Sequence, residues 1–120
     1  MSKIRQQRTA DQMQHILSEL FLWGVNDPRL QAVTVMEVTI DREMEHADIY
    51  INALGDESRQ EDVMAALDSA SGYLRRQVVS RMRLRKAPQF HFHWDPRLQH
   101  AQEVDEILNE LDIPPTEIGD

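Results

Sequence analysis

The sequence predicts an α+β domain, a three-stranded sheet with helices packed on one face, and three observations predict it. Two segments around a short polar link alternate apolar with polar residues, which is the period of a strand. A third segment alternates aromatic residues with histidines. Between and around them, apolar residues recur at spacings of three and four, as on one face of a helix. The predicted order is helix, strand, strand, helix, helix, strand, helix (α-β-β-α-α-β-α).

Taken in order, Met13, Ile16, Leu17, Leu20 and Phe21 make an amphipathic helix of the stretch from Ile4 to Trp23. Gly24 ends it, and Asn26-Asp27-Pro28-Arg29 reads as a turn. Val33 to Ile40 is rich in β-branched residues, and Ala47, Ile49, Ile51 and Ala53 alternate with Asp48, Tyr50 and Asn52. The link from Asp41 to His46 is short and polar, so the two strands are expected to pair as an antiparallel hairpin, closed by Leu54-Gly55-Asp56. Ser58 followed by Glu61 is a capping box that opens the next helix.

That helix carries Val63, Leu67, Ala70 and Leu74 on one stripe, which Val78 and Met82 continue. Gly72 stands in the middle of the stripe. A glycine inside a helix costs about 1 kcal/mol relative to alanine, so Ala70-Ser71-Gly72 is expected to interrupt it. A second, basic helix then runs to Pro88. Phe90, Phe92 and Trp94 alternate with His91 and His93 in a third strand, whose aromatic row is assigned to the core. Asp95-Pro96 caps a last amphipathic helix with Leu98, Ala101, Val104, Ile107, Leu108 and Leu111. A single domain over residues 1–112 and a loose acidic tail over 113–120 follow from this reading.

A chain of 120 residues suits one domain by the usual measure of roughly 100–200 residues each. It has no cysteine, which excludes disulfides and thiolate metal sites and fits a reducing cytoplasm. No apolar run approaches the ~18 residues of a membrane helix, and the basic N-terminus leads into no secretory signal. The net charge of −8 is unevenly spread. Residues 1–10 carry +3, residues 11–68 carry −10, residues 69–94 carry +6 without one acid, and residues 95–120 carry −7. A polyanion is steered by the local field, so two basic segments in an acidic chain can form one binding patch.

The basic segments therefore hold the candidate site. Arg75, Arg76, Arg81, Arg83, Arg85 and Lys86, joined by Lys3, Arg5 and Arg8, are the candidate contacts to an RNA backbone. On a helical wheel Arg76 and Arg83 lie opposite the apolar stripe, Arg81 lies at its edge, and Arg75 lies within it and has to snorkel. The competing reading is a solvated face whose cations answer surrounding acids. Ala70-Ser71-Gly72 admits two readings, a packing glycine or a bend that aims backbone amides at a sugar-phosphate chain.

His91, His93 and Asp95 could in principle form a two-histidine, one-carboxylate metal set. Asp95 is better used as a helix cap, and no metal or other cofactor is expected. No phosphate loop, nucleophile elbow or catalytic carboxylate pair is present, so no enzymatic activity is expected. Glu103, Asp105, Glu106 and Glu110 of the last helix suit a solvated face. The alternative function is a protein-interaction module that uses these acidic helices without touching RNA.

Several stretches together resemble the ribosome-binding factor A family of bacterial small-subunit assembly proteins. They are Asp27-Pro28-Arg29-Leu30, the run from Val33 to Asp41, Ala47-Asp48-Ile49-Tyr50-Ile51 with Leu54-Gly55, and Ala70-Ser71-Gly72-Tyr73-Leu74-Arg75. Leu84-Arg85-Lys86-Ala87-Pro88 leading into Phe90-His91-Phe92 and Asp95 completes the set, over roughly residues 4–111. The resemblance implies a type II KH-like fold in which Ala70-Ser71-Gly72 replaces the usual glycine loop, making Ser71 and Gly72 RNA-contacting residues. It also implies binding to the free 30S subunit and its 16S rRNA, with ribosomal proteins as further possible partners. A role in late rRNA processing and subunit maturation follows from it, with no catalysis. A cytoplasmic monomer is expected.

Overall fold

In the computed structural model, residues 2–53 and 57–97 are described. The predicted last helix and the acidic tail lie outside them, as do Leu54, Gly55 and Asp56. The first helix, α1 (Lys3–Glu19), starts at Ser2, whose hydroxyl accepts the Arg5 amide at 3.2 Å. Its buried residues Ala10, Met13, Ile16 and Leu17 form one stripe. A π-helical turn, Leu20–Gly24, extends it and buries Leu20 and Phe21. A Cβ on Gly24 would sit 2.9 Å from Leu20 Cδ2, so any side chain at the end of this turn requires the buried Leu20 to shift.

A short 3₁₀ turn, Pro28–Leu30, follows, with Asp27 accepting the Arg29 amide at 2.9 Å. The Arg29 guanidinium also grips this carboxylate at 2.8 Å, holding Asp27 below the ordinary carboxyl pKa. Strands β1 (Val33–Ile40) and β2 (His46–Ala53) pair antiparallel as the alternation predicts. Between Val35 and Glu37 the register shifts by one residue, so the buried positions of β1 run Val35, then Val38 and Ile40. Gln14 of α1 donates to the Val35 carbonyl at 3.1 Å, tying the helix to the bulge. In the turn, Asp41 Oδ1 accepts the amides of Glu45 (2.7 Å) and His46 (2.9 Å). The His46 amide bond is the main reason that the Asp41 pKa lies below its ordinary value.

Helix α2 (Gln60–Met82) returns the chain across the sheet, and β3 (Gln89–Trp94) pairs parallel to β2, giving the strand order β1-β2-β3. Phe90, Phe92 and Trp94 stand beside Ala47, Ile49 and Ile51 in register and pack on the core, as the alternation predicts. Both helices cover this one face of the sheet. Asp95 ends the strand. It is buried, its carboxylate accepts the Arg97 amide (2.9 Å) and Nε (2.7 Å), and the Arg97 bond holds its pKa low.

Three expectations about the helical region are corrected: the interruption at Ala70-Ser71-Gly72, the run of the helix to Pro88, and its opening at a Ser58 capping box. One helix of 23 residues passes straight through Ala70-Ser71-Gly72, so the predicted pair of helices is a single α2. The physical reason is a difference in magnitude. Gly72 costs about 1 kcal/mol, whereas burying Leu74 and Val78 on the same stripe as Val63, Ala66 and Leu67 gains about 1.5–3 kcal/mol each. Continuity wins.

The second correction concerns where the helix stops. It ends at Met82, six residues short of Pro88, because Arg83 adopts the left-handed conformation (φ 55°, ψ 44°) and the Leu84 amide reaches back to Val79 O at 3.1 Å. Leu84 then packs against the core, and Arg85 and Lys86 lie in the loop rather than on a helix. The third correction is at the other end: residues 57–59 form a 3₁₀ turn and Arg59 occupies the N-cap without a side-chain cap bond, so the helix starts two residues beyond Ser58. Arg59 Nη2 donates instead to the carbonyls of Arg29 (3.2 Å) and Gln31 (3.0 Å).

Candidate nucleic-acid interface

The cations fall into three groups by what holds them. Lys3, Arg5 and Arg8 line the exposed start of α1. Gln6 in the same turns donates to the Ile40 carbonyl, which pins this end of α1 to the last residue of β1. Arg83, Arg85 and Lys86 form the loop after α2, and Lys86 Nζ lies 3.4 Å from Glu45 Oε1. Ile40 and Glu45 flank the turn joining β1 to β2. The two basic segments, distant in sequence, are therefore both anchored at the same end of the sheet.

Arg76 belongs to neither segment end. It lies exposed on α2, and its Nη1 sits 3.4 Å from where a Cβ on Gly72 would be. Arg81 reaches Glu19 on α1 at 3.5 Å, a surface pair worth little to stability, about 0–1 kcal/mol. Among the described residues, no carboxylate is within ion-pair distance of Lys3, Arg5, Arg8, Arg76, Arg83 or Arg85. A solvated face built to answer neighbouring acids would pair these cations, and six of them are exposed with no such partner among the described residues.

Arg75 is different. Its Nε donates to Pro88 O at 3.0 Å and its Nη2 to Ala87 O at 3.3 Å, so the guanidinium braces the approach to β3. Its position within the apolar stripe explains this: the side chain runs over the core edge and finds backbone acceptors. Ser71 and Gly72 also differ from expectation. Inside a continuous helix their amides donate to carbonyls four residues back, so no free donors point outward. What Gly72 offers is an exposed helix surface without a side chain.

Two features escaped the sequence reading. Arg42, in the β1–β2 turn, is exposed and has no ion pair among the described residues, so it adds to the basic end of the sheet. It lies between Asp41 and Glu43, and an average over the acidic segment hides it. Trp23 is 85% exposed, although its place at the end of an apolar stripe suggested only a helix boundary.

On the open face of the sheet, His93 Nε2 is 2.8 Å from Asp48 Oδ1 and its ring stacks on Tyr50 at 5.0 Å. His46 Nδ1 and His91 Nε2 are 2.9 Å apart, a contact in which one ring donates and the other accepts. His91, His93 and Asp95 thus have three separate sets of partners. Among the described residues, no group of three or more side chains is arranged to hold a metal ion. No described helix is long and apolar enough to cross a membrane.

Known proteins share this architecture. The crystal structure of ribosome-binding factor A from Thermus thermophilus is similar at 26% identity over 73% of this chain and 93% of that one, with a TM-score of 0.65. A Thermus thermophilus ribosome binding factor A homology model, fitted into the cryo-EM map of a complex with 30S, aligns at 26% identity and a TM-score of 0.61. That alignment covers 72% of this chain and 91% of the other. A Thermotoga maritima protein solved in solution by NMR aligns at 27% identity over 78% of this chain and 89% of its own, with a TM-score of 0.67. These relatives have a KH-like fold, and the three-stranded α+β architecture here is of that kind. The family model described as ribosome-binding factor A matches residues 5–108, and the chain belongs to the ribosome-binding factor A family.

Proposed function

We propose that the protein is a non-catalytic maturation factor that binds free small ribosomal subunits by contacting 16S rRNA and supports efficient rRNA processing in the cytoplasm. Lys3, Arg5, Arg8, Arg76, Arg81, Arg83, Arg85 and Lys86 engage phosphates, the surface at Ser71 and Gly72 lets the RNA backbone approach the helix, and Arg75 holds the loop that carries Arg83 to Lys86. The protein acts as a monomer without a cofactor. One observation carries this reading: in a chain of net charge −8, six exposed cations have no carboxylate partner among the described residues. The relative fitted into a 30S complex supports the choice of subunit.

Titrating purified small subunits at several salt concentrations tests it. Each phosphate contact contributes a log–log salt slope of about −0.9 on duplex RNA-like sites and about −0.7 on single strands. An Arg76→Glu/Arg83→Glu protein is expected to bind at least tenfold more weakly with a shallower slope. Equal binding by that variant, or binding indifferent to salt, rejects the interface.

A further inference from the structure

The π-helical turn at the end of α1 keeps Leu20 and Phe21 buried while turning the next two side chains outward. Leu22 is 70% exposed and Trp23 is 85% exposed. Such turns inside helices are frequent at functional sites. A lone exposed apolar residue needs no explanation, but a third, Tyr73, which is 38% exposed, is held at the same turn. The Tyr73 hydroxyl donates to Gly24 O at 3.0 Å, which fixes its ring beside the turn. Two turns further along α2, Arg81 reaches back to Glu19 at 3.5 Å. The end of α1 therefore runs antiparallel to the stretch of α2 from Tyr73 to Arg81, and Arg76, exposed and unpaired among the described residues, lies on that stretch.

We infer that Trp23 is a base-stacking residue, and that the ligand at this end of the interface is an unpaired nucleotide of single-stranded RNA. This rests on the RNA-binding reading above and specifies what the RNA presents. An exposed indole, with the unpaired Arg76 one turn beyond Tyr73 on the facing helix, is the kind of combination that single-stranded nucleic acid uses: cations take the phosphates and aromatic faces take the bases. Duplex RNA keeps its bases stacked on one another and offers no free face. A purely apolar protein partner would find an uncompensated arginine at the edge of its contact, which argues for the polyanion.

Filter-binding of a single-stranded oligouridine and oligoadenine, of a matched RNA duplex and of small subunits tests this with the full chain. Trp23→Ala is expected to weaken single-strand binding about 5- to 100-fold, the range found for one lost base stack. Its salt slope should match wild type, duplex binding should be unchanged, and Trp23→Phe should restore part of the loss. In a Trp94→Phe background Trp23 is the sole tryptophan of the two, and its fluorescence should be quenched by the single strand and not by the duplex. Trp23→Ala binding single strands as wild type, while Arg76→Ala loses affinity, overturns the stacking role and leaves the RNA interface standing. If neither substitution weakens RNA binding, both fall. If Trp23→Ala weakens only subunit binding and not free RNA, the occupant is a protein surface and the inference is wrong.

Discussion

Arg83 terminates α2 at φ 55°, a left-handed position where glycine is the usual residue. A side chain there costs about 1–2 kcal/mol, and glycine loses about 0.4–1 kcal/mol of that advantage through a freer unfolded chain. Arg83→Gly should therefore stabilise the fold by roughly 0.5–1 kcal/mol net. Strain kept at one residue points to a use for its side chain. The same substitution should weaken subunit binding several-fold and reduce the salt slope by about one phosphate contact. Thermal unfolding and a salt titration on one protein measure both, and a variant that is more stable and binds as well as wild type removes Arg83 from the interface. At this scale the sequence was only partly legible. The position of Arg75 within the apolar stripe foretold that its side chain lies half-buried along the core edge, but not its partners, since the carbonyls of Ala87 and Pro88 reach it only once the loop has folded back.

Among the elements, strands were legible because a half-buried sheet enforces a period of two along β1, β2 and β3; the bulge after Val35 departs from it, and so does Asn52, which is buried between Ile51 and Ala53 and donates to the Asp95 carbonyl. Helix ends and breaks were not. They depend on sums that no local pattern displays: the cost of Gly72 against the burial of Leu74 and Val78, and an arginine doing what a glycine usually does at a helix end. Gly72 gives the sharper test of the two. A Cβ added there meets only the flexible end of Arg76, at 3.4 Å, so Gly72→Ala fits the helix and should stabilise it by about 1 kcal/mol. If RNA backbone approaches α2 at this bare position, the added methyl group and the displaced guanidinium should lower affinity while the melting temperature rises. A Gly72→Ala protein that gains stability and loses no affinity would make the glycine a neutral surface residue.

For the whole molecule, the question is how a body of net charge −8 approaches a polyanion. Range decides it. At about 0.15 M salt the Debye length is near 8 Å, and at 0.01 M it is near 30 Å, comparable with the roughly 30 Å width of a domain of this size. Under physiological conditions an RNA strand at the basic end of the sheet feels Lys3, Arg5, Arg8, Arg42 and Arg83 together with Asp41, Glu43 and Glu45 of the same turn, and little of the acids further away. At low salt it feels the entire chain, including the −10 of residues 11–68. Affinity should therefore rise as salt falls from about 0.3 M, with the slope set by counterion release, and then flatten or turn over near about 0.02 M as long-range repulsion joins in. A more basic relative should show the straight line throughout. Replacing Glu57, Glu61 and Asp62, exposed acids around the start of α2 and away from the proposed contacts, by neutral residues should restore linearity at low salt without altering the slope at high salt. A straight log–log plot for the wild-type protein down to about 0.01 M would mean that the acidic segments never face the RNA, and that the local patch alone governs encounter.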